Sequence, residues 1–185
     1  MKRLTKAALG GIASGALILG ATQAAIGELP VSRQIFPGPL VDLNSATTLD
    51  SAEAVLKVTE TRDGTYFSLR VKGIAAEAGD EFGAHLHVDG CVAGIGSASG
   101  DHYNTDVVAT GVPYLDAVKT PTTEVWLDLV VDEYGVAVDQ TLVPFVPVDT
   151  NGKMSIVLHQ DANNSVGVAG PREACLPLDV PSWMP

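Results

Sequence analysis

Alternating apolar and polar positions begin at Glu53. In "EAVLKVTET", Ala54, Leu56 and Val58 share one face, and "RDGT" follows as a turn centred on Asp63 and Gly64. "YFSLRVKGI" then sends Phe67, Leu69 and Val71 one way and Tyr66, Ser68, Arg70 and Lys72 the other, which predicts a hairpin with one wet face. "EFGAHLHV" is a further strand. "EVWLDLVVD" places Val125, Leu127, Leu129 and Val131 together, "EYG" turns the chain, and "VAVDQTLV" returns. "KMSIVLHQ" aligns Met154, Ile156 and Leu158, and a short "CLPLDV" ends the series. Beyond the first residues no segment carries a helical stripe. The pattern predicts an all-β fold, a Greek-key barrel or sandwich of about eight antiparallel strands. Residues 25–45 hold three prolines and little periodicity, and read as an extended N-terminal arm ahead of a single domain over 46–185.

Two stretches interrupt the pattern, 88–123 and 160–175. Loops longer than about 12–15 residues are uncommon unless they serve a function. Each is fed by a strand end that carries histidine.

The first residues have their own logic. "MKRLTK" is basic, "AALGGIASGALILGA" is apolar and small, and "TQAA" follows, the three-part layout of a secretory signal. Residues 1–24 are expected to be removed after Ala24, with Thr22 two positions before it. This predicts a secreted, periplasmic or cell-envelope protein without a stable membrane span. The whole chain carries a net charge of −11, and residues 1–24 hold three positive charges and no negative ones, so the remainder is −14 (−11 − 3). Nothing in that balance suits nucleic acid. Export also changes the reading of Cys91 and Cys175, the chain's two cysteines, which can pair in an oxidising compartment or remain separate buried thiols.

The chain has four histidines. Strand period places His85 and His87 on one face, with Leu86 toward the core. His159 ends "SIVLH" and points away from the core-facing Leu158. His102 lies in "GDHYN", inside the first long loop. An HxH pair on an exposed strand is often only solvated. Here all four histidines sit on strand ends or loops able to converge, and imidazoles without thiolate suit copper or zinc.

At these residues a resemblance emerges. "GAHLHVDGC", "GDHYN", "VLH" and "AGPREAC" resemble, in order, motifs of the copper/zinc superoxide dismutases, over roughly residues 53–178. The resemblance implies copper ligation by His85, His87, His102 and His159, a disulfide between Cys91 and Cys175, and an active-site arginine at Arg172. The early cysteine resembles the bacterial exported branch. The departure lies in residues 103–123, which contain no histidine. Asp106 and Asp116 are the strongly coordinating side chains there, too few for a closed zinc site of about four ligands. The chain therefore looks like a copper-only variant with zinc absent. The family's aspartate that links the copper and zinc ligands has no clear match, since Asp161 sits only two residues after His159.

The implied activity is conversion of superoxide anion to dioxygen and hydrogen peroxide. His102 would carry a proton, and Asp106 or a backbone carbonyl would orient it. Arg172 would draw in the anion, unless it merely pairs with Glu173. The competing expectation is a copper-binding, buffering protein on the same fold without turnover. A sandwich that binds no metal would make the four matching histidines a coincidence.

Overall fold

The computed structural model describes residues 32–45, 47–149 and 151–178. The leader proposed for 1–24 lies outside them. Nine strands run β1 (Ser32–Pro39), β2 (Val41–Asp42), β3 (Glu53–Thr61), β4 (Gly64–Lys72), β5 (Glu81–His87), β6 (Trp126–Val130), β7 (Val136–Val143), β8 (Ser155–His159) and β9 (Arg172–Pro177) among the described residues. They form two antiparallel sheets, ordered β1-β3-β4-β7 and β2-β9-β8-β5-β6. The fold is an all-β sandwich, and the two sheets do not close into one continuous barrel.

The alternation read from the sequence builds the core. Leu56, Phe67 and Leu69 from the first sheet meet Leu86, Leu127, Ile156 and Leu158 from the second, all fully buried. The β3–β4 turn sits one residue earlier than the Asp-Gly pair suggests. Thr61 pairs with Gly64, so Arg62 and Asp63 form the two-residue loop. Gly64 has φ +136°, and a Cβ there would overlap the Val143 carbonyl, so glycine serves a close strand approach and not the turn itself.

The segment expected to be an arm is part of the sandwich. β1 pairs with β3 from Ser32↔Glu60 to Pro39↔Glu53. β1 is an edge strand, where proline is tolerated because one row of N–H groups has no partner strand. Residues 32–39, expected to lie in the arm, thus belong to the first sheet. At the other end, the last strand begins three residues before Cys175, at Arg172.

The long loop after β5 is not wholly irregular. It carries a 3-10 turn at Gly96–Ser99, a helix α1 at Thr105–Thr110 and a second 3-10 turn at Tyr114–Asp116. This loop and residues 160–171 cover the outer face of the second sheet. That cover explains β8, all five of whose residues are buried although the strand alternates between two faces. No helix among the described residues is long and apolar enough to cross a membrane.

Candidate metal centre

The histidines meet on this covered face. β5 supplies His85 and His87, and β8 supplies His159. His102 arrives by pairing: it forms a bridge with His87, the Val88 N–H donates to the Asp101 carbonyl at 3.1 Å, and the Tyr103 N–H donates to the Leu86 carbonyl at 2.7 Å. The next side chain anchors this segment. Tyr103 is buried, stacks on Phe145 at 5.8 Å, and accepts from the Val148 N–H at 3.1 Å.

One ligand nitrogen from each histidine can be chosen so that all four lie within 4.8 Å of one another. The rings of His85 and His102 stack at 3.8 Å, and Nε2 of His87 and of His159 approach to 3.5 Å. Around a tetrahedral metal such as zinc, with bonds of about 2.0–2.1 Å, imidazole nitrogens stand ~3.3–3.4 Å apart. The widest pair would close by about 1.4 Å to reach that spacing. The group can therefore hold a metal ion. Asp106, at the start of α1, and Asp116, in the second 3-10 turn, stand outside it.

Acceptors behind three of the rings turn Nε2 inward. Nδ1 of His87 meets the Gly100 carbonyl at 3.1 Å, and Nδ1 of His159 meets the Gly170 carbonyl at 3.0 Å. Nδ1 of His102 meets Glu124 Oε2 at 3.1 Å. This fixing of tautomer by the distal nitrogen is the usual companion of metal-binding imidazole.

Glu124 was not foreseen, and neither Asp106 nor a carbonyl takes its place. Its carboxylate is fully buried. Oε2 also accepts from Trp126 Nε1 at 2.9 Å, and Oε1 accepts from Asn104 Nδ2 at 3.0 Å. Burial alone would push the Glu124 pKa up, but hydrogen bonds from His102, Trp126 and Asn104 outweigh it and hold the group below its ordinary value. Tyr114 lies over the same group, with its ring 5.7 Å from that of His102. Burial, then the Glu124 charge and hydrogen bond, push its phenol pKa upward. The sequence did contain a signal for Glu124. Val125 faces the core, so Glu124 and Trp126 face the other way, and Trp126 pairs with His85 across β5–β6. Reading it required that register.

Arg172 is half-buried beside the centre. Its Nη1 donates to the Gly96 carbonyl at 2.7 Å and to Ser99 Oγ at 3.0 Å. Glu173 is not its partner: the Glu173 carboxylate accepts from Asn44 Nδ2 at 3.1 Å. Arg172, His102, His159, Tyr114 and Lys119 line a cleft of about 250 Å³. A larger hollow of about 690 Å³ lies on the other side of Arg172, between Asp89, Ser97 and Asp101, and no histidine lines it. The turn that grips Arg172 is tied down covalently, because Cys91 and Cys175 form a disulfide with Cα atoms 5.8 Å apart.

Burial lowers the basicity of the rings. It is the main cause that holds the His85 and His87 pKa values well below the ordinary imidazole value, and that of His159 is pushed down to about 4. These rings are neutral and ready for metal at neutral pH. The linkage sign follows: between pH 6.5 and about 4 the unfolded chain binds protons that the folded chain refuses, so stability falls with pH across that window. His159 alone accounts for about 3 kcal/mol. The metal-free protein is expected to melt at least ~6 °C lower at pH 4.5 than at pH 7.5. Thermal unfolding followed by circular dichroism checks this, and a flat profile would mean that the rings are not held neutral.

No model of a known protein family matches this chain, and a search of curated proteins finds no match.

Proposed function

We propose that this protein is a copper-dependent superoxide dismutase that acts outside the cytoplasm with one metal. The observation that carries the reading is the convergence of His85, His87, His102 and His159 at a cleft bounded by Arg172, with Glu124 behind His102. Copper held by the four rings would supply one-electron chemistry, taking an electron from one superoxide and giving it to the next. Two superoxide anions and two protons yield dioxygen and hydrogen peroxide.

The chain's own residues do the rest. Arg172 offers a fixed positive charge where the substrate is anionic. The protein as a whole is strongly acidic, and screening limits bulk repulsion to about 8 Å at physiological salt, so local attraction governs entry. Glu124 keeps the His102 proton on Nδ1 and leaves Nε2 for the metal, or for a proton when His102 is released. Because Nδ1 is engaged by Glu124, that nitrogen is not free for a second ion. This favours a single copper without zinc.

Metal analysis of the purified protein, followed by a superoxide assay with and without added copper, tests the reading. Absence of stoichiometric copper binding would sink it. Copper without turnover would reject the enzyme and leave a copper-holding protein. Arg172→Glu is expected to lower the second-order rate about 10-fold or more and to reverse its salt dependence. An unchanged rate and salt slope would remove Arg172 from the mechanism.

A further inference from the structure

The outer face of the first sheet takes no part in the metal centre, whose strands β5 and β8 belong to the second. Its charge departs from that of the rest of the chain. Phe36, Leu56, Leu69 and Ala137 point into the core, so the residues that alternate with them point outward. Among these are Arg33 on β1, Lys57 on β3, and Arg70 and Lys72 on β4, all exposed.

Register sets the four in a line. Arg33 pairs with Thr59, two residues from Lys57, and Lys57 pairs with Ser68, two residues from Arg70. Each step moves one strand sideways and two residues along, so neighbouring Cα atoms stand ~8 Å apart. The result is a diagonal basic stripe over three strands. Glu53 is the one acid among the outward positions of these strands, and it meets Lys72 at 2.8 Å. Arg33, Lys57 and Arg70 form no ion pair among the described residues. The face therefore carries +3, while the chain outside it and outside residues 1–24 carries −17 (−11 − 3 − 3). Apolar side chains flank the stripe. Ile35 lies opposite Lys57, Val138 opposite Arg70, and Leu142 opposite Tyr66. These four residues are 41–57% exposed.

We propose that this face docks peripherally on an anionic lipid bilayer. Charge complementarity selects the occupant, since each Lys or Arg near an anionic surface strengthens binding about 5-fold. The apolar flanks distinguish a bilayer from a soluble polyanion. Ile35, Tyr66, Val138 and Leu142 enter the boundary of the acyl chains while the Lys and Arg stems reach back to the headgroups. The acidic remainder of the molecule is repelled from the same lipids, so a single orientation is favoured. The metal centre then faces away from the bilayer, with both sheets between it and the lipids and its cleft open to the medium.

The test mixes the full chain with vesicles of phosphatidylcholine alone, or of phosphatidylcholine and phosphatidylglycerol in equal parts, and reads the bound fraction by sedimentation. Binding is expected only with phosphatidylglycerol. It should vanish between about 0.01 M and about 1 M salt, as the screening length shrinks from ~30 to ~3 Å. Lys57→Glu is expected to weaken it about 10–30-fold. Lys153→Glu makes the same charge change in the exposed loop before β8, and should alter it less than about 3-fold. Val138→Ser combined with Leu142→Ser should weaken it about 10-fold. Circular dichroism checks that each variant folds, and residues 1–24 are common to all, so differences between variants read the face alone. Equal weakening by Lys57→Glu and Lys153→Glu would overturn the inference, because net charge would then suffice. No vesicle binding by the wild type would also overturn it, whether the face then captures dextran sulfate or a second copy of the chain.

Discussion

Glu124→Leu is expected to destabilise the protein by roughly 3–6 kcal/mol, a large part of the 5–15 kcal/mol that holds a typical domain together. Three donors meet on the Glu124 carboxylate: His102 Nδ1, Trp126 Nε1 and Asn104 Nδ2. Each buried donor left without an acceptor costs about 1–3 kcal/mol. Asn104 has more to lose, because its Oδ1 caps α1 through the Asp106 N–H and its Nδ2 also reaches the Val118 carbonyl. Loss of the carboxylate should therefore loosen the whole 103–123 segment, with His102 at its edge. Glu124→Gln separates charge from shape. One of its two terminal atoms becomes a donor, so at least one of the three bonds must fail. If the failing bond is that of His102, the proton moves to Nε2 and the ring no longer offers a lone pair to copper. Urea denaturation gives the stability change, and electron paramagnetic resonance of the Cu(II) form reports the ligand set. A loss under 1 kcal/mol for leucine would show that the carboxylate is not the keystone of the loop.

The double replacement Cys91→Ala with Cys175→Ala is the second large effect. The bond closes a sequence separation of 84 residues. On the chain-entropy model a loop of that length contributes about 4.5 kcal/mol. Equilibrium unfolding of the oxidised protein against the double variant measures this, and a difference below about 1 kcal/mol would contradict it. The variant should also respond at Arg172, whose Nη1 rests on Gly96 and Ser99 a few residues beyond Cys91. Under the proposed activity, its second-order rate with superoxide, followed against salt, should fall more than its metal content.

Much of this was legible before any coordinates. Alternation revealed core residues of β3, β4, β6 and β8, because each of these strands turns every second residue into the space between the sheets. The HxH spacing gave His85 and His87 a common face for the same reason. What escaped depends on contacts distant in sequence. Glu124 matters only because β6 pairs with β5 and sets Trp126 opposite His85. β1 was hidden by prolines that an edge position tolerates. α1, at six residues, is too short to show a stripe.

The disulfide also has a topological meaning. Along the chain His87 and His159 are 72 residues apart. Through the sulfurs the route is four residues from His87 to Cys91 and 16 from Cys175 back to His159, 20 in all. Shortening the tether from 72 to 20 residues lowers the entropy of bringing the two imidazoles together by about 1.1 kcal/mol. In an oxidised but unfolded chain, the two ends of the centre are already leashed near each other. Closing the disulfide before a metal ion arrives would thus place half of the ligand set on a short lead, so the order of the two events bears on how readily the centre assembles.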